Sequence, residues 1–363
     1  MTVLSGEKIG TASDLGAPRA RGQSVAVTAS KSQRIPALDF TKGALVLIMV
    51  LYHWLNYFLG ASDNRYLRFL TPSFICITGF LISNVYLSRY GVTDPQLPKR
   101  LMQRGLKILG VFAALNLARV GLFPRTYGTQ MLSEHSSIRS LLDIYVIGSN
   151  LGGGQEKAIA FFILVPIAYL LLLSALLLVF LKTYRYVFHA ACIFSFLAIL
   201  VLYFNGYESA NLELLAIGLA GVMLGYMPIE RINAYVSHPY LLAVAYLCYL
   251  AAITIWNIIY PLQVVGVFLS LAIIYLLGSV RGEPGRIRSL LLLLGKYSLF
   301  GYIAQIAILQ FLRRGFEHMN SGPVVLGLSF VLAIILTSAS VEALDYGRSK
   351  SATTDKLYKT VFA

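Results

Sequence analysis

The residue types best suited to chemistry fall in one stretch near the N-terminus. It reads Arg34-Ile-Pro-Ala-Leu-Asp39-Phe-Thr-Lys42-Gly43, then apolar residues up to Tyr52-His53-Trp54. Asp39 and Lys42 are three residues apart, so a helix puts them on one face. His53 follows eleven residues after Lys42, about 16 Å further along a helix and close to three full turns. The imidazole therefore falls on the face of the Lys42 ammonium, and the apolar surroundings place it near mid-membrane. A cation at the mouth can hold an anionic group, while an imidazole deeper on the same face can take or give a proton near neutral pH. Each residue also has a plainer use. Arg34 and Lys42 suit basic anchors at a membrane surface, and Asp39 suits the positive end of a helix dipole. His53 is harder to assign to structure alone, because an ionisable group at membrane depth is costly unless it faces a cavity or a partner.

The elements that must position these groups follow from composition. Of 363 residues 57% are hydrophobic and only 13% charged, and the mean hydropathy is +0.71. A soluble domain would leave too much apolar surface in water, so the expected solvent is a lipid bilayer. Ten apolar stretches are long enough, or nearly so, to span as helices: 38–59, 67–87, 105–123, 158–181, 186–204, 212–227, 240–256, 262–280, 290–312 and 322–344. They are too long for barrel strands, so closed helices must satisfy the backbone in lipid. The expected fold is an all-α polytopic membrane protein of about ten transmembrane helices. Residues 1–33 read as a disordered tail, 34–346 as the helical domain and 347–363 as a second tail.

The net charge of +14 reads as membrane anchoring, not nucleic-acid binding, since no basic run is interleaved with aromatics on a soluble module. If the N-terminus is cytoplasmic and all ten helices cross, 21 Lys and Arg fall on the cytoplasmic side and 8 on the other. That split follows the positive-inside rule and puts both termini in the cytoplasm. The long connection 124–157 lies outside. Its apolar run 138–148 is too short to span and suits a re-entrant or interfacial segment. Cys76, Cys192 and Cys248 lie in apolar segments without metal-ligand spacing, and no metal site is expected.

Further polar residues accompany the first helix. Lys99, Arg100, Arg104 and Lys107 precede or open the third span and offer cytoplasmic positive charge for phosphates. Asn116 and Arg119 lie deeper in that span, where they could line a cavity and meet a substrate, or bond between helices. Lys296 lies within snorkelling reach of the cytoplasmic face. Glu208 and Glu213 flank the outer start of the sixth span.

The pattern Arg34-x3-Leu38-Asp39-x2-Lys42-Gly43 followed by His53 resembles the first-helix signature of the membrane acyltransferase family 3 superfamily, with its glucan-modifying and heparan-glucosaminide-acetyltransferase-like relatives. That family has a basic residue, ten intervening residues and a histidine. Its basic residue is usually Arg, where this chain has Lys42. The stretches Phe69–Ile82 and Leu294–Gln305 are similar to its second and late helices, with Gln305 where a histidine is common. The resemblance implies acyl transfer from acyl-CoA, most simply acetyl-CoA, to a hydroxyl of a cell-envelope or exported glycan at a bacterial-type inner membrane. It implies His53 as general base or acyl carrier, and Asp39 as a catalytic group that orients Lys42 or helps protonate the leaving thiolate. It also implies Arg34, Lys42, Arg100 and Arg104 as donor-binding groups, with Asn116 and Arg119 toward the acceptor. A transporter or export protein for a polysaccharide or lipid-linked sugar is the rival. It would also need ionisable groups at midplane, but with broken helices in related halves.

Overall fold

A computed structural model of the protein describes residues 35–60, 64–91, 94–122, 137–148, 160–180, 186–256, 259–280, 285–316 and 322–362. Helix α1 spans Pro36–Phe58. It opens with proline in its first turn, where a missing N–H costs nothing, and with Asp39 at the positive end of its dipole. Helix α2, Leu70–Leu81, runs on through a π-helical turn, Ile82–Leu87, to Tyr90. Then come α3 (Gln96–Leu122), α4 (Leu164–Phe180), α5 (Val187–Phe204), α6 (Ala210–Gly225), α7 (Ile229–Val236), α8 (Pro239–Trp256) and α9 (Tyr260–Ser279). The chain ends with α10 (Arg286–Lys296), α11 (Ser298–Phe316), α12 (Pro323–Lys350) and α13 (Ala352–Phe362). No strand occurs among the described residues. The protein is an all-α polytopic membrane protein.

Seven of these helices are long and apolar enough to cross a bilayer, and nine spans result if each sharply bent pair counts as one. The bent pairs are α6 with α7, at 105°, and α10 with α11, at 96°. Helix α4, with 17 residues, accounts for the remaining expected stretch. The expected ninth span, 290–312, is therefore a broken element. Lateral contacts join the helix ends that an alternating path assigns to one side. At the end where α1 finishes, the Tyr57 hydroxyl accepts from Gln310 at 3.2 Å, Trp54 donates to Ser329 at 2.8 Å, and Tyr66 meets Thr254 at 3.1 Å. At the end where α1 begins, Tyr275 donates to Asn233 at 2.9 Å and Lys296 donates to Asp345 at 2.7 Å.

Two helix pairs approach backbone to backbone through glycine. On α2 and α6, a Cβ at Gly79 would fall 1.9 Å from the Gly218 carbonyl oxygen, and one at Gly221 2.1 Å from that of Cys76. Ser83 adds a hydrogen bond across this pair, to the Val222 carbonyl at 2.6 Å. On α1 and α10, a Cβ at Gly43 would fall 1.9 Å from the Leu291 oxygen, and one at Gly295 1.7 Å from that of Asp39. Lipid gives helices no hydrophobic reason to associate, so close van der Waals contact between small residues takes that role.

The segment 347–363, expected as a tail, is helical where described. Helix α12 continues to Lys350, and α13 folds back across the end of the bundle. Tyr358 of α13 packs edge-on to Tyr297 at 5.4 Å and Phe362 packs on Phe300 at 6.1 Å. The Arg348 guanidinium lies 4.0 Å over the Tyr358 ring and donates to Asp355. The apolar run 138–148 forms a short helical stretch at the other end. The Asn211 amide holds it by donating to the Tyr145 carbonyl at 2.8 Å, and the Ser209 hydroxyl by donating to that of Ile147 at 3.1 Å.

Candidate active site on the first helix

Helix α1 is unbroken from Asp39 through His53, so the helical register holds between them. The Lys42 ammonium pairs with the Asp39 carboxylate at 2.6 Å, and each side chain is only 18% exposed. Glycine at 43 and 295 brings α10 against the Asp39 backbone, so this ion pair sits at a tight junction of two helices. His53 lies 17 residues after Pro36 and five before Phe58. It is past the middle of α1, about 8 Å from its far end, rather than at the midpoint.

His53 is surrounded by tyrosines. Its ring centroid lies 5.3 Å from that of Tyr52, 6.5 Å from Tyr57 and 6.2 Å from Tyr302. Tyr302 comes from α11 and meets Phe161 edge-on at 6.3 Å. One turn on, Gln305 is fully buried, and neither end of its amide has a hydrogen-bond partner among the described residues. A buried amide in this state is costly. The break between α10 and α11 sets the direction of α11. It is tied down by Asp345, whose Oδ1 accepts from Lys296 at 2.7 Å and from the Tyr297 hydroxyl at 2.5 Å.

The other expected site residues divide. Arg34 lies outside the described residues. Arg100 donates to the Tyr90 hydroxyl and Arg104 to that of Tyr86, each guanidinium lying over the ring it bonds. Both therefore line the α2–α3 junction at the end where α1 begins. Asn116 and Arg119 are each 5% exposed on the inner face of α3. The Asn116 amide donates to the carbonyls of Ala160, at 3.1 Å, and Phe112, at 3.0 Å, and accepts from the Ala160 N–H at 3.0 Å. It holds the chain entering α4. Among the described residues no group of three or more His, Cys, Asp or Glu could hold a metal ion.

Tyr52, Tyr57 and Tyr302 stand outside the site residues expected from sequence. Their signal was available in part: Tyr52 and Tyr57 flank His53 in the chain, whereas Tyr302 arrives only through tertiary packing. Chemically the arrangement offers a cation–carboxylate pair near one end of α1 and an imidazole among phenols near the other. No protein-family model matches the chain, and no curated protein or solved structure matches it either.

Proposed function

We infer that the protein is a membrane O-acyltransferase. It takes an acyl group, acetyl in the simplest case, from cytoplasmic acyl-CoA and passes it to a hydroxyl of a cell-envelope or exported glycan. Both termini are cytoplasmic in this reading, and the membrane is a bacterial-type inner membrane. The observation that carries it is the shared helix: Lys42 and His53 lie on one continuous α1, one near each end, with tyrosines gathered around the imidazole. Lys42 and, at the same end of the bundle, Arg100 and Arg104 attract the donor's phosphates. The thioester reaches along α1 toward His53. The imidazole takes the proton of the acceptor hydroxyl as its oxygen bonds to the thioester carbonyl carbon. The carbon–sulfur bond then breaks and the CoA thiolate is protonated on leaving. In the alternative order, the acyl group rests on the imidazole between two such transfers. Asp39 lies about 21 Å along the helix from His53, so its part is to orient Lys42. In this reading Arg119 serves the acceptor side of α3, and Asn116 shapes it by holding the chain entering α4.

Replacing His53 with Asn removes a base and acyl carrier but keeps a polar side chain. Transfer from labelled acyl-CoA to envelope material in membranes should fall by about 10²–10⁴-fold at normal expression, while His189→Asn stays within a few-fold. Near-normal turnover in His53→Asn would refute the mechanism. The two sharply broken helix pairs favour a second reading, a transporter for a polysaccharide or lipid-linked sugar, because transporters place such breaks at their binding sites. That reading predicts substrate-dependent uptake or efflux in vesicles without any acylated product.

A further inference from the structure

Glycine aside, one residue among those described has a positive φ: Phe161, at 61°. The left-handed region is costly for any residue with a Cβ, and phenylalanine is not among the polar residues that visit it readily. Such a conformation persists only where its surroundings over-determine it. Here both flanks are fixed. On one side the Asn116 amide clamps Ala160, accepting from its N–H at 3.0 Å and donating to its carbonyl at 3.1 Å. On the other, the Phe161 carbonyl accepts from the Leu164 N–H at 3.0 Å, in the turn that opens α4. The peptide joining residues 160 and 161 is therefore held, and φ decides where Phe161 sends its side chain. The ordinary value near −60° would swing the Cβ by about 120°. At 61° the ring is buried, and it meets Tyr302 edge-on at 6.3 Å with the planes 83° apart. That is a favoured aromatic geometry, so it fixes the Tyr302 ring as well as filling space. Tyr302 lies 6.2 Å from the His53 imidazole.

We propose that Phe161 is a positioning residue of the His53 site: its left-handed backbone, clamped by Asn116, aims the ring that holds Tyr302 against the imidazole. The contacts run from α3 through the entry to α4 and on to α11 and α1. A residue needed only to fill volume is placed at less cost in an ordinary conformation, so the strain goes with the aim of the ring. Phe161 acts through Tyr302, and Asn116 acts through Phe161. What the positioning serves rests on the acyltransferase reading; the chain of contacts does not. In that reading a shift of about 1 Å at the imidazole is enough to slow transfer by about 10²-fold.

The test uses the full chain in nanodiscs, with isotope-labelled histidine and side-chain NMR. The five histidines give few signals, and that of His53 is assigned by its loss in His53→Asn. The variants are Phe161→Ala, Phe161→Gly and Phe161→Leu, the last keeping most of the buried volume without the flat ring edge. Tyr302→Leu marks the shift produced by losing the Tyr302 ring itself. In Phe161→Ala and Phe161→Leu the His53 signal should move toward its position in Tyr302→Leu, while that of His238, just before α8, stays in place. The kcat for acyl transfer should fall by about 10²-fold at unchanged KM for acyl-CoA, because the donor is held at the other end of α1. Phe161→Gly should melt about 2 °C above Phe161→Ala, since glycine adopts a positive φ without strain. A His53 signal unmoved in both Phe161→Ala and Phe161→Leu refutes the positioning role, whatever the activity does. A glycine variant no more stable than the alanine one refutes the strained clamp. A moved His53 signal in a protein whose wild type transfers no acyl group upholds the positioning role and overturns the acyltransferase reading alone.

Discussion

The contact between α1 and α10 yields the most demanding prediction. At Gly295 an added methyl would sit 1.7 Å from the Asp39 carbonyl oxygen and 2.5 Å from its carbon. Ordinary contact needs more than 3 Å, so α10 would have to retreat by well over 1 Å. The obstacle is main chain on both sides, with no flexible side-chain end to swing away. Overpacking of this kind costs about 1–3 kcal/mol, and a backbone obstacle puts Gly295→Ala at the upper end. At about 2 °C per kcal/mol for a chain of this size, the midpoint of thermal unfolding in detergent should fall by about 6 °C. The matched control is Gly110→Ala on α3, where no atom lies within 4 Å of the added Cβ. There alanine should leave the midpoint unchanged or raise it, through helix propensity worth at most about 1 kcal/mol. Both midpoints can be read from tryptophan fluorescence or dye-binding scans on purified protein. Equal midpoints for the two variants would refute the argument that glycine is required for the α1–α10 approach.

Three further outcomes are expected. Asn116→Leu removes three hydrogen bonds and leaves the Ala160 backbone groups without partners, so the thermal midpoint should drop by the equivalent of about 2–3 kcal/mol; an unchanged midpoint would remove Asn116 from the hold on α4. Gln305→Leu deletes a fully buried amide that has no hydrogen-bond partner among the described residues, so it should hold or raise the thermal midpoint; loss of stability would show the amide to be structural. The Lys359 ammonium and the Arg348 guanidinium hold the Asp355 carboxyl below its usual range, so its contribution to the docking of α13 is present above about pH 4 and is lost as pH falls through the lowered value. Limited proteolysis of the C-terminal helix should therefore be flat from pH 8 to 5 in the wild type and faster throughout in Asp355→Asn; equal rates would show that this network does not fasten the helix.

The parts of the fold legible in sequence were those governed by local rules. Apolar length marked every long helix, and the three-residue spacing of Asp39 and Lys42 marked their ion pair. The path bends in two places that hydropathy could not show. Leu290–Leu312 carries one charge, Lys296, and only scattered polar residues (Ser298, Gln305 and Gln310), and the break at Tyr297 is fixed by Asp345, 48 residues away. The docking of α13 was hidden for a related reason. Its window is rich in Lys and Thr, and its larger apolar residues fall in two pairs one helical turn apart, Leu357 with Val361 and Tyr358 with Phe362, of which the second docks on the bundle. At the candidate site the imidazole and the basic pair were visible because they share a helix. Tyr302 was not, because its approach to His53 depends on how α11 leaves the break. In sequence, Gly43 follows Lys42 and Gly295 precedes Lys296 with nothing to mark a role for either glycine. The structure shows that both are spacers for one helix crossing.

The partners of α1 also set an order in time. The chain emerges from the ribosome N-terminus first, yet most residues that close on α1 come from α9, α10, α11 and α12, in the last part of the sequence. The α2–α6 pair can form while the second half is still being made, as can the α3–α4 junction. The helix bearing Lys42 and His53 must wait in the bilayer, its glycine-exposed backbone open to lipid or to insertion factors, until synthesis is nearly complete. Chains truncated before α10 would therefore carry the complete first-helix motif and never enclose it. Enclosure of the first helix is thus a late step of biogenesis, reached only by molecules whose last helices have arrived.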